Sequence, residues 1–152
     1  MAHTIKILTV TDLHRLRGLF FEFTETVSRE KPDALCLVGD FLDFCGTTEP
    51  QLTTAEAALS IARLEVPEII FVRGNHEDSS WFEFQDVWNT TGRRLVASHG
   101  EACTVGPATF VGFPSLMGDD TAFVGERPSL PASPSSWLSR LLESHGPSIR
   151  TL

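Results

Sequence analysis

Three short stretches of this 152-residue chain combine residue types that bind cations: Thr11-Asp12-Leu13-His14, Gly39-Asp40-Phe41-Leu42-Asp43 and Gly74-Asn75-His76-Glu77. Carboxylates, imidazoles and a side-chain amide are hard-to-borderline ligands, better suited to Mn, Fe or Zn than a thiolate site would be. In Asp12-x-His14 the alternate spacing lets both side chains leave an extended segment on the same side, which suits two ligands of one ion. Gly39 and Gly74 permit sharp backbone turns close to such a site. Each cluster has an ordinary explanation by itself. A D-x-H arises by chance in roughly one chain in five of this length, the acids of G-D-x-x-D are often caps or turn residues, and Gly-Asn is a turn signal. All three in this order, each behind a strand, coincide by chance in well under roughly one chain in ten thousand.

The elements that must position these clusters are legible as hydrophobic runs. Ile5 to Thr11 reads as a strand, and Leu19, Phe20, Phe23 and Val27 recur at helical spacing between Gly18 and Arg29. Ala34 to Val38 is a second strand, ended by Gly39. A helix over Thr54 to Leu64 follows, with Ala55, Ala58, Leu59 and Ala62 on one face. Its start at Thr53 or Thr54, with Glu56 nearby, falls short of a clean capping box. Pro67 breaks the pattern, and Glu68 to Val72 is the third strand. Such alternation argues for parallel strands joined by right-handed crossovers. In an open parallel sheet, sites form beyond the carboxyl ends of the strands, so the three clusters fall on one edge.

Beyond Asp78 the spacing predicts a helix over Trp81 to Trp88. Short strands follow at Leu95 to Ala97, Ala102 to Val105 and Thr109 to Phe113, read as antiparallel from their Gly turns. Gly118 to Ser136 is rich in Gly, Pro and Ser and is expected to be a loop. Trp137 to Ser144 reads as a helix, and Ser148 to Leu152 as the approach to another strand. No internal repeat is found, and residues 1–152 are expected to form a single domain.

Composition narrows the function classes. Hydrophobic residues make up 41% and charged residues 21%, a globular balance. Net charge is −8, with 20 acids against 12 bases and no dense basic block, which argues against a nucleic-acid or membrane surface. No apolar run reaches the roughly 18 residues of a membrane span, and the start, MAHTIKILTV, lacks the features of a secretory signal. Cys36, Cys45 and Cys103 are too few for a disulfide framework and lack C-x-x-C spacing. Cys36 is expected to be a core thiol, and a cytoplasmic, reducing compartment is expected. No G-x-G-x-x-G or P-loop follows the first strand, which weakens a nucleotide-binding reading.

The three ordered blocks T-D-L-H, G-D-F-L-D and G-N-H-E resemble the signature of the calcineurin-like metallophosphoesterases, and Phe110 to Ser115 is similar to that family's mid-chain strand. The resemblance implies an α/β fold, an α-β-β-α sandwich with two sheets packed between helices. It implies hydrolysis of a phosphomonoester or phosphodiester at a centre of two divalent ions, Mn, Fe or Zn. On this resemblance Asp12 and His14 ligate the first ion, Asp40 bridges both, and Asn75 ligates the second. His76 faces the phosphate as acid or charge stabiliser, and Asp43 orients His76. Glu77 has the expected type after the His, but receives no role.

The pattern departs from the family after these blocks. A later His and a G-H-x-H, which in the family supply one ligand to the first ion and two to the second, have no counterpart in the 152 residues. His99 and His145 lie in other contexts, S-H-G-E and S-H-G-P. The expectation is a domain incomplete at its C-terminal side, with a second metal site lacking ligands. Sheet surface left uncovered by the missing part would favour self-association. The alternative function is a truncated, catalytically inactive relative that binds metal weakly or serves as an interaction module. Phe41, Phe44 and Trp81 are candidates for the mouth of the site, against the commoner reading of such aromatics as core.

Overall fold

A computed structural model describes residues 4–42, 48–74, 76–77, 80–97, 102–106 and 108–111. Its elements, in chain order, are β1 (Ile7–Val10), α1 (Arg17–Glu30), β2 (Ala34–Val38), α2 (Thr54–Ala62), β3 (Glu68–Val72), α3 (Ser80–Thr90), β4 (Val96–Ala97), β5 (Ala102–Val105) and β6 (Ala108–Val111). The runs ALCLV and EIIFV have the near-continuous apolar character of strands buried on both faces. They pair in parallel, Ala34 opposite Glu68 through Val38 opposite Val72, and β1 adds to the other side of β2.

Strand order is β1-β2-β3-β4, so every crossover steps in the same direction. Right-handed crossovers then put all three helices on one face of the sheet. On that face Leu35, Leu37, Ile69 and Phe71 pack with Phe20, Phe23 and Val27 of α1, with Ala57, Ala58 and Ile61 of α2, and with Trp81, Phe84 and Trp88 of α3. The alternate residues Ala34, Cys36 and Ile70 point the other way, against Val105 of β5 and Phe110 of β6. The antiparallel β5–β6 pair is thus a second sheet laid on the first. This gives the first three layers of the expected sandwich; among the described residues no helix covers the far side of β5–β6.

The expected antiparallel pairing of Leu95 to Ala97 is corrected: β4 runs parallel to β3, with Ile70 opposite Val96 and Phe71 opposite Ala97. The physical reason is α3, whose eleven residues supply the long connection a parallel return needs. Helix faces also shift. Leu19 and Leu59, expected inward, are exposed; the inward residue of α2 is Ala57 with Ala58 and Ile61. The start of α2 is a complete capping box after all: Thr53 Oγ1 accepts from the Glu56 N–H, and the Glu56 carboxylate accepts from the Thr53 N–H. Its far end is closed from a distance. The Arg93 guanidinium donates to the carbonyls of Ala62 (3.1 Å), Leu64 (2.8 Å) and Val66 (2.5 Å), groups that a helix end otherwise leaves to water. The expected loop 118–136, helix Trp137–Ser144 and final strand lie outside the described residues.

Beneath the carboxyl ends of the strands lies an aromatic cluster. Phe71 of β3 meets Trp88 edge-on at 5.0 Å and Phe84 at 5.2 Å, while Trp81 and Phe84 stack at 5.6 Å. Phe41, the residue after Asp40, drops into this cluster 5.6 Å from Phe71. Phe41 and Trp81 are therefore core residues rather than lining of a mouth; Phe44 lies outside the described residues. Buried rings of this kind each contribute about 1.5–3 kcal/mol by transfer from water. Here they also fix the floor on which the polar loops rest.

Candidate metal centre

The loop after β1 lies along the loop after β2 through a continuation of the strand pairing. The Asp12 N–H donates to the Gly39 carbonyl (3.3 Å), His14 N–H to the Asp40 carbonyl (2.9 Å), and Arg15 N–H to the Phe41 carbonyl (3.1 Å). The segment is not extended, as the D-x-H spacing suggested. Asp12 has φ 57°, His14 φ 47°, Arg15 φ 55°, and Asp40 across the gap φ 54°. Left-handed backbone at residues other than glycine is uncommon and costs about 1–2 kcal/mol each. Leu13, between them, is buried in the core, while the side chains of Asp12 and His14 come together with that of Asp40.

These side chains converge. Ligand atoms of Asp12, His14 and Asp40 all lie within 4.8 Å of one another. Asp12 Oδ1 stands 3.7 Å from His14 Nε2, and Asp12 Oδ2 accepts from the Thr11 hydroxyl at 2.7 Å. The Asp12 side chain is 61% exposed and that of His14 13%, so the group opens to solvent on the Asp12 side. The donor set fits a divalent ion. Two carboxylate oxygens and an imidazole nitrogen are ordinary ligands for Zn, Mn or Fe. At bond lengths of about 2.0–2.2 Å, ligands of one ion lie up to roughly 4.4 Å apart, so only a small closure is needed. A cation would also relieve the repulsion between the two carboxylates.

The third cluster joins through backbone contacts. Asp40 Oδ1 accepts from the His76 N–H at 3.1 Å, and the His76 ring meets the His14 ring edge-on at 5.3 Å. Gly39 and Gly74 let the loops after β2 and β3 touch. A Cβ on Gly39 would lie 3.0 Å from the Gly74 Cα, and one on Gly74 would lie 2.6 Å from the Asp40 N. Arg15 braces the same region, its Nε donating to the Leu42 carbonyl (3.2 Å) and Nη1 to the Thr54 hydroxyl (3.1 Å). Arg73, the residue after β3, sits 5.5 Å over the Trp81 ring.

Glu77 is the residue whose part sequence reasoning missed. It is wholly buried. Its Oε1 accepts from the amides of Phe41 (2.7 Å) and Leu42 (3.2 Å), and its Oε2 from those of Gly74 (2.5 Å) and Asp40 (3.0 Å). Its carbonyl accepts from the Trp81 N–H (3.1 Å), leading into α3. Burial pushes the Glu77 carboxyl above its ordinary value, the Asp40 charge adds to that, and the amides of Leu42, Asp40 and Gly74 oppose it. A proton on either oxygen would face N–H donors only, so this geometry calls for the ionised form. Beyond the residue type expected after His76, the local sequence carries no signal for this part, since three of the four amides come from residues 35–37 positions away.

Of the residues singled out in the sequence, Asp12, His14, Asp40 and His76 are brought together. Asp43, Asn75, His99 and His145 lie outside the described residues. Cys36 is buried in the sheet, as expected of a core thiol. None of the described helices is long and apolar enough to cross a membrane.

None of the curated proteins matches the chain. The family model for calcineurin-like phosphoesterases matches residues 5–150, nearly the whole length of the chain. With a parallel α/β sheet that gathers Asp12, His14 and Asp40 at its carboxyl edge, the chain belongs to the calcineurin-like phosphoesterase family.

Proposed function

We propose that this protein hydrolyses a phosphomonoester or phosphodiester of a small substrate at a centre of two divalent cations, Mn, Fe or Zn. The observation that carries the reading is the convergence of Asp12, His14 and Asp40 within 4.8 Å at the open edge of the sheet. Asp12, His14 and Asp40 would hold the first cation. Asp40, and by the family pattern Asn75, would hold the second. When bound, such cations polarise phosphoryl oxygens and activate water for in-line displacement.

The protein's own residues supply the rest. His76, ring-to-ring with His14 at 5.3 Å, faces the phosphate and gives a proton to the leaving oxygen. By the family pattern Asp43 orients that imidazole, as ring nitrogens at such sites require. The loop after β1, held against the loop after β2, keeps Asp12 and His14 from drifting apart as substrate arrives. The open side beside Asp12 is the route of entry, and the net charge of −8 favours small phosphoesters over long polyanions.

The test is turnover of 4-nitrophenyl phosphate and of bis(4-nitrophenyl) phosphate with added Mn²⁺. Metal-dependent release of nitrophenol is expected from at least one. Asp40→Asn should abolish it, and His76→Ala should lower it by about 10²–10⁴-fold, the usual contribution of a general acid. Metal-dependent turnover surviving both substitutions would show that the site is assigned wrongly. Mn²⁺ binding without turnover would favour a metal-binding interaction module instead.

A further inference from the structure

We propose that Glu77 is a positioning residue of the metal centre, setting where Asp40 presents its carboxylate. The proposal rests on the reading of Asp12, His14 and Asp40 as cation ligands. A carboxylate that merely stabilised a turn would bond its own loop. Glu77 bonds Gly74 in its own loop and three consecutive amides, Asp40 to Leu42, in the loop after β2. The single oxygen Oε2 takes both the Gly74 and the Asp40 N–H, so it fixes the separation of the two loops at Asp40 itself. Asp40 then answers through its side chain, Oδ1 accepting from the N–H of His76, the residue before Glu77. The result is a closed ring: Glu77 holds the Asp40 backbone, and the Asp40 carboxylate is held by the His76 backbone.

The space around Asp40 supports the same view. Gly74 has no Cβ where the Asp40 carboxylate lies; one built there would come 2.9 Å from Asp40 Cγ. Asp40 is therefore wedged between Gly74 and the His76 amide, in a left-handed backbone (φ 54°) that few residues adopt unaided. Four N–H donors with no acceptor among them select a carboxylate over an amide at position 77. A glutamine would turn one of its two oxygens into a donor facing donors.

The experiment compares wild type with Glu77→Gln by amide hydrogen exchange in metal-free protein and by Mn²⁺ titration. In the variant the amides of Asp40, Phe41, Leu42 and Gly74 should exchange at least about tenfold faster, while those of β2 and β3 keep their protection. The deciding amide is His76, which makes no bond to Glu77: it should accelerate with the four, because its acceptor has moved. Mn²⁺ affinity should fall by about 10–100-fold, as for loss of other groups that orient metal ligands. An unchanged His76 amide together with unchanged Mn²⁺ affinity would reduce Glu77 to a loop stabiliser and overturn the proposal. Wild type that binds no Mn²⁺ would overturn the cation reading, and the His76 amide would still decide whether Glu77 positions Asp40. Should Glu77→Gln not fold, wild type alone supplies the test. The five amides of Asp40, Phe41, Leu42, Gly74 and His76 must open with one common free energy, and independent opening of His76 overturns the proposal.

Discussion

Replacing Gly74 by alanine should destabilise the protein by about 2.5–6 kcal/mol, from crowding and from the hydrogen bond that crowding breaks. Gly74 is not in the left-handed region, so its backbone would accept a side chain. The obstacle is Asp40, whose amide nitrogen would lie 2.6 Å from the new Cβ, and whose Cγ would lie 2.9 Å away. The nitrogen belongs to the backbone and cannot swing aside. Ordinary contact would require the two loops to part by roughly 0.8 Å or more. Overpacking of this kind costs about 1–3 kcal/mol. Parting the loops would also stretch the 3.0 Å bond from the Asp40 N–H to Glu77 past hydrogen-bond range, and a bond to a charged group is worth about 1.5–3 kcal/mol.

The assay is urea unfolding followed by tryptophan fluorescence, since Trp81 and Trp88 are buried in the aromatic cluster. Two other glycines separate space from backbone angle. Gly18, in α1, has nothing within 4 Å of a built Cβ and no positive φ, so Gly18→Ala should stabilise by about 0.5–1 kcal/mol. Gly92 has equally open space but φ 73°, so Gly92→Ala should cost about 1–2 kcal/mol. The same added methyl group then gives three outcomes for three stated reasons. Stability of Gly74→Ala within about 1 kcal/mol of wild type would refute the claim that the loops touch at Asp40.

Arg93→Ala should lower stability by about 2–3 kcal/mol by stripping three carbonyls at the end of α2 and the loop to β3, and Arg93→Lys should recover only part, because an ammonium lacks the planar fork; urea midpoints of the two variants decide it. Thr53→Ala should cost about 1 kcal/mol through loss of the cap on α2, read the same way. The other half of that capping box carries a pH signature. The Thr53 amide, and then its hydroxyl, hold the Glu56 carboxyl below its ordinary value of 4.5. A carboxyl lowered on folding stabilises fully above its unfolded value and loses that contribution as pH falls through its folded value. Melting temperatures of wild type and Glu56→Gln, followed from about pH 6 to about pH 3, should therefore converge below pH 4.5; a gap constant with pH would contradict the box.

Much of this was legible in the sequence because its signals are local. The runs at Ala34 to Val38 and Glu68 to Val72 announce buried strands, and D-x-H, G-D-x-x-D and G-N-H-E announce themselves by residue type at fixed spacing. What stayed hidden depends on distant partners. Thr54 competes with Thr53 for the cap on paper, and only the bond to Glu56 decides between them. The apolar stripe of α2 is ambiguous by one position, because alanines surround it, and packing against both α1 and α3 selects Ala57 over Leu59. The direction of β4 follows from α3 as a crossover, which the Gly turns further along obscured. Glu77 has the type expected after His76 but receives no role until the loop after β2 is laid beside it.

The distribution of strain explains why these two loops need so much holding. Among the described residues five non-glycine positions have positive φ, and four of them, Asp12, His14, Arg15 and Asp40, surround the candidate centre; Lys31, the fifth, ends α1. At about 1–2 kcal/mol each, such backbone would relax if left alone. It is held by three backbone bonds between the loops, by Arg15 bonded to Leu42 and Thr54, and by four amides gathered on Glu77. Phe41, locked between Phe71 and Phe84, anchors the same turn from below. These restraints are all contacts within the protein itself. Packing and hydrogen bonding thus bring the candidate ligand atoms of Asp12, His14 and Asp40 within 4.8 Å of one another.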